Sequence, residues 1–291
     1  MDRLASKKPL NRTITLRRIF LVVTPTLSIL FLWAFWWEPS RLGVVEQTIA
    51  VEPWHREHAG LKIAVMSDLH VGAPYRDLAR LKDVVSTTNA QKPDLVLILG
   101  DFVIQGVLGG QFVPPEPIAH ELAGLRAPLG VVAVLGNHDW WFDGVRVRRA
   151  LSAEGITVLV NQSLRLTHRN KPFWLVGLDD LMTRGNHLQS TLAAIQDNEP
   201  VIVLTHNPDV FPDMPQWVTL TLAGHTHGGQ VHLPLVGRPI VPSKFGPRYA
   251  YGLVEENQKR LFVTGGVGTS IIPVRFRVKP EIAMLILIPQ E

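Results

Sequence analysis

Residues 62–70 read Lys62-Ile-Ala-Val-Met-Ser-Asp-Leu-His70, an apolar run that ends in a carboxylate and an imidazole. Four later segments repeat this arrangement, in which polar side chains directly follow an apolar run. They are residues 95–101, 131–139, 201–206 and 218–227. Buried strands that end in polar residues are how an α/β fold collects side chains from distant parts of the chain. We therefore expect the polar residues of all five segments to meet in one site.

Composition limits the chemistry that such a site can use. The chain has 291 residues, enough for one large domain and an appendage, and it has no cysteine. Disulfides and thiolate ligands are therefore excluded, and any metal must bind nitrogen and oxygen atoms. Residues 1–38 hold six of the 29 basic and two of the 25 acidic residues, so the remainder carries 23 of each sign. A neutral domain lacks the basic surface typical of nucleic-acid binding, and we expect no nucleic-acid partner.

An uncharged stretch of 19 residues, 19–37, stands out near the beginning of the chain. At ~1.5 Å per residue, a helix of this length spans roughly 28 Å, close to the thickness of a bilayer core. Aromatic rings, which favour the membrane interface, crowd its far end, namely Trp33, Phe35, Trp36 and Trp37. We expect a single transmembrane anchor. A buried helix of the globular domain is the alternative.

Charges on either side of this stretch predict its orientation. Only Arg41 and Arg56 fall within the twenty residues after it, whereas residues 1–18 are basic. The six basic residues there are Arg3, Lys7, Lys8, Arg12, Arg17 and Arg18. The positive-inside rule then places the N-terminus in the cytoplasm and the domain outside. The run Arg17-Arg-Ile-Phe-Leu21 resembles a twin-arginine export signal, and no small-x-small cleavage site follows, so we expect an uncleaved anchor.

The pattern after the anchor predicts a connector over residues 38–60, with a strand at 44–51, and a domain over 61–291. Helical periodicity appears at residues 77–88, 145–154 and 187–197, between apolar strands. Further strands are expected at 157–160, 173–177, 230–233, 261–264 and 283–288. An alternating first half and a strand-rich second half indicate an α/β (α+β) fold, with two packed sheets and outer helices.

The polar residues at the strand ends suit a pair of metal ions. Asp68 and His70 lie two residues apart, as do His225 and His227, and in an extended strand end such residues face the same way. The full set of candidate ligands is Asp68, His70, Asp101, Asn137, His206, His225 and His227. Seven ligands exceed the three or four that one zinc ion takes from a protein. Two metals that share a carboxylate are typical of phosphate-ester hydrolysis.

The order of these motifs, D-x-H, G-D, G-N-H-D, x-H and G-H-x-H, resembles that of the calcineurin-like metallophosphoesterase family. Three further runs are similar to a subgroup of bacterial membrane-anchored or exported phosphodiesterase-like members. They are residues 60–70, the run Gly224-His-Thr-His-Gly-Gly-Gln-Val-His-Leu-Pro234, and Val267-Gly-Thr-Ser-Ile-Ile-Pro-Val-Arg-Phe276. The resemblance covers roughly residues 45–290. It implies a four-layer sandwich of two mixed sheets flanked by helices, in a bacterial protein that is membrane-anchored or exported. With the charges around residues 19–37, we expect a single-pass protein of the cytoplasmic membrane whose domain lies in the periplasm.

The same resemblance implies two ligand sets that share Asp101. One divalent ion would be held by Asp68, His70, Asp101 and His227, and the other by Asp101, Asn137, His206 and His225. A water or hydroxide between the ions would be the nucleophile, because both charges lower its pKa. The nitrogen and oxygen ligands allow Mn, Fe or Zn. His138 resembles the family's catalytic histidine, which would bind the phosphate or protonate the leaving oxygen.

The chain departs from the family at Ile104. Many protein-phosphatase members carry Gly-Asp-x-x-Asp, in which the last aspartate orients the catalytic histidine, whereas this chain has Gly100-Asp-Phe-Val-Ile104. An isoleucine side chain has no group that could do this. Asp139 is next to His138 in sequence, but adjacency does not show where its carboxylate points.

Apolar segments near the motifs suggest a contact with lipid. Residues 102–117 are rich in apolar side chains, glycine and proline, and as a solvated loop they would be unusually apolar. We expect a lid or a lipid-facing surface there. Residues 140–142, Trp-Trp-Phe, are either core residues or an aromatic wall at the site's mouth. Arg248, Arg275 and Arg277 are candidates for contacts with a substrate phosphate. A solvent-exposed or structural role is the alternative for each of them.

These observations predict a membrane-anchored hydrolase that holds two metals and cleaves phosphodiesters, with a substrate that could be lipid-linked. One alternative is a pyrophosphatase acting on a nucleotide-linked lipid precursor of the UDP-diacylglucosamine type, whose substrate would lie in the cytoplasm. A second alternative is a metal-stabilised module that binds cell wall or lipid without catalysis. The sequence does not determine the oligomeric state.

Overall fold

Twelve strands form the two sheets of the domain in the computed structural model, which describes residues 12–185 and 187–290, with side chains from Phe20 onward. The basic residues Arg3, Lys7 and Lys8 of the predicted N-terminal segment lie outside this range. The strands are β1 (Gly43–Val51), β2 (Leu61–Met66), β3 (Leu95–Ile98), β4 (Val131–Ala133), β5 (Thr157–Val158), β6 (Gln162–His168), β7 (Lys171–Gly177), β8 (Val201–Leu204), β9 (Leu220–Ala223), β10 (Gly252–Glu256), β11 (Lys259–Val263) and β12 (Glu281–Pro289). The α-helices are α1 (Arg12–Leu32), α2 (Glu38–Ser40), α3 (Leu78–Ala90), α4 (Pro115–Leu122), α5 (Asn137–Ala153) and α6 (Leu188–Leu192).

The strands form two six-stranded mixed sheets. Sheet 1 has the order β1-β12-β2-β3-β4-β5, in which β2 to β5 are parallel and β12 runs antiparallel to β2. Sheet 2 has the order β10-β11-β9-β8-β7-β6, in which the four central strands are parallel and both edge strands are antiparallel. Two mixed sheets with flanking helices confirm the predicted fold class.

Strand β2 shows why the central strands are mostly apolar. Its residues alternate between the two faces of sheet 1, as the period of two in a β-strand requires. Ile63 and Val65 belong to the core between the two sheets, whereas Ala64 and Met66 belong to the core beneath the helices. Both faces of the sheet are covered along these four residues, which favours an apolar side chain at each of them, whereas Lys62 near the start of the strand is exposed.

Helices and turns cover the outer faces of both sheets. Three helices, α3, α4 and α5, bury apolar side chains against sheet 1, and Leu81, Ile118 and Val147 are examples. The outer face of sheet 2 is covered by α6 and by the 3-10 segment Pro208–Asp213. The result is four layers, which bring the carboxyl ends of the parallel strands of both sheets to one region.

Local predictions differ from the structure in three places. The predicted helix at residues 187–197 is confined to α6, five residues long. The predicted strand at 230–233 is irregular, with single bridges from Val231 to Phe276 and from Leu233 to Gly237. Helix α4 lies partly within the predicted loop 102–117, since a proline is compatible with the first turn of a helix.

The N-terminal helix continues without a break toward the domain. Helix α1 leads into a π-helical segment, Trp33–Trp37, and then into α2. Residues Phe20–Ser40 are long and apolar enough to cross a membrane by length and composition. After only two residues the chain enters β1, which pairs in parallel with β12 over nine positions. The first strand of the predicted connector is therefore an edge strand of sheet 1.

The end of this helical segment is bound to the domain by two neighbouring residues. The buried guanidinium of Arg76 donates to the carbonyls of Pro39 at 2.9 Å and Arg41 at 3.2 Å. The Tyr75 hydroxyl donates to the carbonyl of Phe35 at 3.0 Å. Residues 35–41 are therefore part of the folded domain's hydrogen-bond network.

We expect a chain shortened to begin at Gly43 to be less stable than one that begins at Ile29. Loss of the Arg76 bonds should cost roughly 2 kcal/mol, which lowers the melting temperature of a domain of this size by about 4–8 °C. Thermal unfolding in the same mild detergent measures the difference. As a control, Arg76→Gln should lower the melting temperature of the longer chain more than that of the shorter one. Equal melting temperatures of the two unsubstituted chains would show that residues 29–42 contribute nothing to stability.

Candidate metal centre

The candidate ligands lie beyond the carboxyl ends of parallel strands in both sheets. Strands β2, β3 and β4 of sheet 1 and β8 and β9 of sheet 2 each end a few residues before one or two of them. All seven are buried: Asp68, His70, Asp101, Asn137, His206, His225 and His227. The structure thus brings together residues that are up to 159 positions apart.

The first group of side chains contains Asp68, His70 and His227. The His70 Nε2 atom lies 3.2 Å from His227 Nε2, and His227 Nε2 lies 3.4 Å from Asp68 Oδ1. A metal about 2.1 Å from each ligand separates neighbouring ligand atoms by about 3.0–3.5 Å. The third distance, from His70 Nε2 to Asp68 Oδ1, is longer at 4.0 Å. The three ligand atoms are still close enough together to hold one ion.

The second group contains Asp101, His206 and His225. The His206 Nε2 atom lies 3.2 Å from Asp101 Oδ2 and 3.2 Å from His225 Nδ1. The same Asp101 Oδ2 atom lies 3.6 Å from His70 Nε2 of the first group. A single carboxylate oxygen is therefore within ligand distance of both groups.

Several buried polar atoms of the site lack a hydrogen-bond partner among the described residues. They include Asp68 Oδ1 and Asn137 Oδ1. A buried oxygen without a partner costs about 1–3 kcal/mol, and a metal ion would supply the missing interaction. The other oxygen of Asp68 accepts the backbone N–H of His225 at 3.1 Å, which aims Oδ1 toward the first group. The residues present therefore fit divalent metal ions.

Backbone carbonyls orient two of the histidines. The Nδ1 atom of His206 lies 2.7 Å from the carbonyl of Leu99, and the Nδ1 atom of His70 lies 3.3 Å from that of Val103. A ring N–H that donates to a carbonyl leaves the other nitrogen free to bind a metal. In both residues that other nitrogen, Nε2, faces the candidate ligands.

The backbone of the ligand turns corrects one step of the sequence reasoning. Asp68 and His70 have φ angles of 53° and 42°, and His225 and His227 have φ angles of 69° and 51°. These residues are therefore not in extended strand ends, and the expectation that i and i+2 side chains face alike for that reason is wrong. They lie in left-handed turns, which are strained for residues other than glycine.

Two glycines permit the close approach of these turns. A Cβ atom at Gly136 would lie 2.2 Å from Asp101 Oδ1, and a Cβ atom at Gly224 would lie 2.0 Å from Ser67 Oγ. Neither distance is compatible with a side chain. Each glycine directly precedes a candidate ligand, so the space it leaves brings the ligand loops of different strands together.

Burial and charge set the protonation of the ligands. Burial lowers the pKa of His70 and that of His225 to about 3, which keeps both rings neutral, the form that binds metals. Burial alone would lower the pKa of His206 as well, but the Asp101 carboxylate raises it to about 10. Burial raises the pKa of Asp68 to about 6. Metal binding at His206 is therefore coupled to the release of a proton.

The carboxylate of Asp139 points away from His138 and toward the backbone of two ligand loops. Its Oδ2 accepts N–H groups from Asp101 and Gly136, both at 2.9 Å. Its Oδ1 accepts N–H groups from Phe102 at 2.9 Å and Val103 at 3.3 Å. Asp139 is therefore a positioning residue. The sequence showed its place in a motif but not the direction of its side chain.

His138 lies at the edge of the site, half-buried between two rings. Its ring centroid is 4.8 Å from that of His70 and 4.8 Å from that of Trp141, whose indole is 54% exposed. The Nδ1 atom has no hydrogen-bond partner among the described residues. Trp141 is thus the member of the aromatic run that forms a wall beside His138.

Ile104, the residue at which the chain departs from the family pattern, packs in an apolar cluster with Ala73 and Val107.

Arg275 is not available to bind a substrate and has the structural role that the sequence left open as the alternative. Its guanidinium is fully buried and donates to the carbonyls of Gly265 at 2.7 Å, Gly266 at 3.2 Å and Gly268. A Cβ atom at Gly266 would lie 2.9 Å from Asp68 Cβ, so this loop presses directly on a candidate ligand. Arg275 therefore holds in place the loop that packs against Asp68.

Comparison with known proteins agrees with this geometry. The family model described as calcineurin-like phosphoesterase matches residues 61–229. The chain is 34% identical over 267 residues to uncharacterized metallophosphoesterase YkuE of Bacillus subtilis, covering 88% of each chain. It is 34% identical over 257 residues to phosphodiesterase YaeI of Escherichia coli, covering 86% of this chain and 90% of that one. It is 27% identical over 321 residues to UDP-2,3-diacylglucosamine pyrophosphatase LpxG of Chlamydia trachomatis, covering 91% and 94%.

A family model that matches more than half of the chain, together with relatives of this identity and coverage, shows the family. The chain belongs to the calcineurin-like phosphoesterases and is a metal-dependent phosphoester hydrolase. The resemblance drawn from the five motifs is thereby confirmed.

We expect Asp139→Asn to destabilise the ligand loops. An amide NH₂ would replace one acceptor oxygen and would face two backbone N–H groups, at a cost of roughly 2–5 kcal/mol. Metal binding should weaken by about 10–100-fold, since residues that orient ligands have effects of this size. Denaturant unfolding of the metal-free chain and Mn²⁺ titration measure the two effects.

The matched control for this variant is Asp143→Asn, in the same helix. The exposed Asp143 carboxylate accepts a single N–H, from Arg146, so its replacement should change stability by less than about 1 kcal/mol. If Asp139→Asn behaved like the control, the four hydrogen bonds of Asp139 would not hold the ligand loops in place.

Proposed function

We propose that the chain is a membrane-anchored phosphodiesterase whose metal centre holds two divalent ions. The observation that carries this proposal is the position of Asp101, whose Oδ2 lies 3.2 Å from His206 Nε2 and 3.6 Å from His70 Nε2. A carboxylate shared by two ligand groups is the arrangement expected of a two-metal site. The similarity to the protein named phosphodiesterase YaeI supports a phosphodiester as the substrate.

The proposed ligands divide into two sets that share Asp101. The first set is Asp68, His70, Asp101 and His227, and the second is Asp101, Asn137, His206 and His225. Manganese, iron and zinc all suit these nitrogen and oxygen donors. When bound, the ions would lower the pKa of a water molecule and neutralise charge on the phosphoryl oxygens.

His138 would act on the substrate through a neutral ring. Burial lowers the pKa of His138, and no described carboxylate holds its Nδ1 atom. A neutral imidazole donates a hydrogen bond to a phosphoryl oxygen but is a poor source of a proton for the leaving group. We therefore propose that His138 binds and orients the phosphate, and that Trp141 beside it limits access from one side.

The anchor proposal depends on residues 20–40 and on the charges around them. The helix is apolar, and residues 20–33 are exposed, not packed against the rest of the described chain. Basic residues precede it, which favours a cytoplasmic N-terminus and a periplasmic domain. Export by the twin-arginine route would suit a domain that folds before it crosses the membrane.

Turnover of bis-p-nitrophenyl phosphate with Mn²⁺ tests the activity. We expect Asp101→Ala to lower the rate by at least roughly 10²–10³-fold, the loss typical of removing one essential electrostatic group, because both ligand sets lose a member. The release of p-nitrophenol by the full chain in detergent measures this loss.

Asp83→Ala is the control for this experiment. Asp83 is exposed, and the ion pair it forms among the described residues is with Arg80 at 3.2 Å, so the variant should retain the full rate. Wild-type activity in Asp101→Ala would contradict a shared carboxylate. Absence of turnover with Mn²⁺, Fe²⁺ and Zn²⁺ in the unsubstituted chain would contradict the phosphodiesterase proposal.

A pyrophosphatase acting on a nucleotide-linked lipid precursor is the second candidate. The similarity to the protein named UDP-2,3-diacylglucosamine pyrophosphatase LpxG, over 91% of this chain, favours it. Such a substrate lies in the cytoplasm, whereas the charge pattern favours a periplasmic domain. The two candidates therefore differ in where the domain must lie.

A topology reporter fused after residue 291 separates these candidates. We expect alkaline phosphatase at this position to be active and green fluorescent protein to be dark when exported unfolded, as for a periplasmic domain. The reverse result would favour the pyrophosphatase. The same reporters fused to a chain in which six basic residues are moved to follow the helix serve as the control for orientation.

A further inference from the structure

We infer that three apolar loops around the metal centre rest in the surface of the lipid bilayer, as a second membrane contact besides the helix. The inference depends on the anchor proposed above. These loops, called the apolar rim, comprise residues 105–112, 233–241 and 270–273. Their exposed apolar side chains are Leu108 (70%), Phe112 (47%), Leu235 (108%), Val236 (69%), Ile240 (78%), Ile271 (72%) and Ile272 (44%). So many large apolar side chains grouped on a surface indicate a binding partner.

Hydrogen bonds join loops 105–112 and 270–273 directly, and Gln230 joins the segment just before loop 233–241 to loop 270–273. The Leu108 N–H donates to the carbonyl of Ile271 at 3.0 Å. The Gln230 side-chain amide donates to the carbonyls of Ser270 at 3.2 Å and Ile272 at 3.3 Å, and its oxygen accepts the Ser270 N–H at 2.8 Å. The rim is therefore a continuous platform whose parts are held in fixed relation.

The rim is continuous with the proposed anchor. The Arg275 N–H donates to the carbonyl of Ala34 at 2.9 Å. A cavity of about 540 Å³ lies between the helix and the loop that follows the rim, with Ile29, Trp33 and Phe276 among its lining residues. Ile29 lies about 12 Å before Trp37 along a helix. Lipid that surrounds the last two turns of the apolar helix would therefore reach the level of residues 270–276.

Basic side chains accompany the apolar tips. Lys244, Arg277 and Lys279 are exposed, and Arg238 is half-buried. Apolar tips with a basic border are typical of protein surfaces that sit at the interface of an anionic membrane. A lipid leaflet fits this chemistry better than a second copy of the chain, whose rim would carry the same positive charges.

Each rim loop continues directly from a segment of the metal centre. Loop 105–112 follows Asp101, loop 233–241 follows His227, and loop 270–273 follows Gly268, whose Cβ position would lie 2.7 Å from the carbonyl of Asp68. The rim would hold the metal centre at the level of the lipid headgroups. The phosphoester of an amphiphilic substrate could then reach the ligands while its acyl chains stay in the leaflet.

Spin labels on the cysteine-free chain test this inference. Leu235→Cys and Ile271→Cys place a nitroxide on the rim, and Trp217→Cys is the matched control. Trp217 is 47% exposed and precedes the start of β9, at the opposite end of the strand from the metal ligands. The full chain is reconstituted in vesicles of phosphatidylethanolamine and phosphatidylglycerol, and a circular dichroism spectrum and melting temperature equal to those of the unlabelled chain show that each labelled chain is folded.

The measurement compares collisions of each label with oxygen, which concentrates in lipid, and with a water-soluble nickel chelate. We expect a positive depth parameter, the logarithm of the oxygen-to-nickel accessibility ratio, at residues 235 and 271 and a negative one at 217. Rim labels as open to the nickel chelate as the control would overturn the inference. Rim labels shielded from both reagents would also overturn it, in favour of a contact between two copies.

A fourth label separates this inference from the anchor on which it depends. Leu27 is 60% exposed in the middle of α1, so a label there reports immersion of the helix itself. A lipid-exposed label at 27 with aqueous labels at 235 and 271 would overturn the rim and leave the anchor standing. Failure of the chain to float with the vesicles would overturn both, whereas loss of turnover alone would bear only on the proposed activity.

Discussion

The metal centre depends on turns that the backbone adopts only under constraint. Five of the seven candidate ligands have positive φ angles, among them Asp101 at 57°, although none of them is glycine. Conformations of this kind cost about 1–3 kcal/mol each and persist only where the surroundings determine them. Here the surroundings are two sheets packed face to face, whose parallel strands end at the same place. The apolar core between the sheets therefore supplies the stability that the ligand turns consume.

Buried charges maintain these turns by binding backbone groups. Asp139 receives four N–H groups from the loops that carry Asp101 and Asn137, and Arg275 donates to carbonyls of the loop that presses on Asp68. A buried ion is costly unless hydrogen bonds compensate for its lost hydration. The backbone provides that compensation here, and the charges in turn fix the positions of the loops. Arg275 in particular could be mistaken for a substrate contact if it were judged by its charge alone.

The sequence was sufficient to predict which residues meet but not how they meet. Apolar runs such as residues 61–66 and 95–98 identify central strands, because burial on both faces leaves a continuous signal. The polar residues that follow them could be recognised for the same reason. The left-handed turns of these residues could not be predicted, because an Asp-x-His spacing is compatible with an extended or a turned backbone. The role of Arg275 could not be predicted either, because the sequence near a metal motif does not show whether an arginine side chain faces the substrate or the backbone. Residues 230–233, which lead into loop 233–241, were predicted as a strand, because the alternation of Val231 and Leu233 is equally compatible with an irregular segment that forms only single bridges.

The contacts of Arg76 affect how the domain is oriented relative to the N-terminal helix. A helix joined to its domain by a flexible tether would leave the active site free to turn in any direction. In this chain the same guanidinium donates to Pro39 at the end of the helical segment and to the carbonyl of Val267, one residue from the loop that contacts Asp68. The helix and a ligand-supporting loop are therefore bound to one rigid group. If the helix crosses the bilayer, its tilt also sets the direction in which the metal centre faces. An orientation of this kind removes rotational freedom in advance, so that a substrate confined to the leaflet meets the site with less loss of entropy on binding.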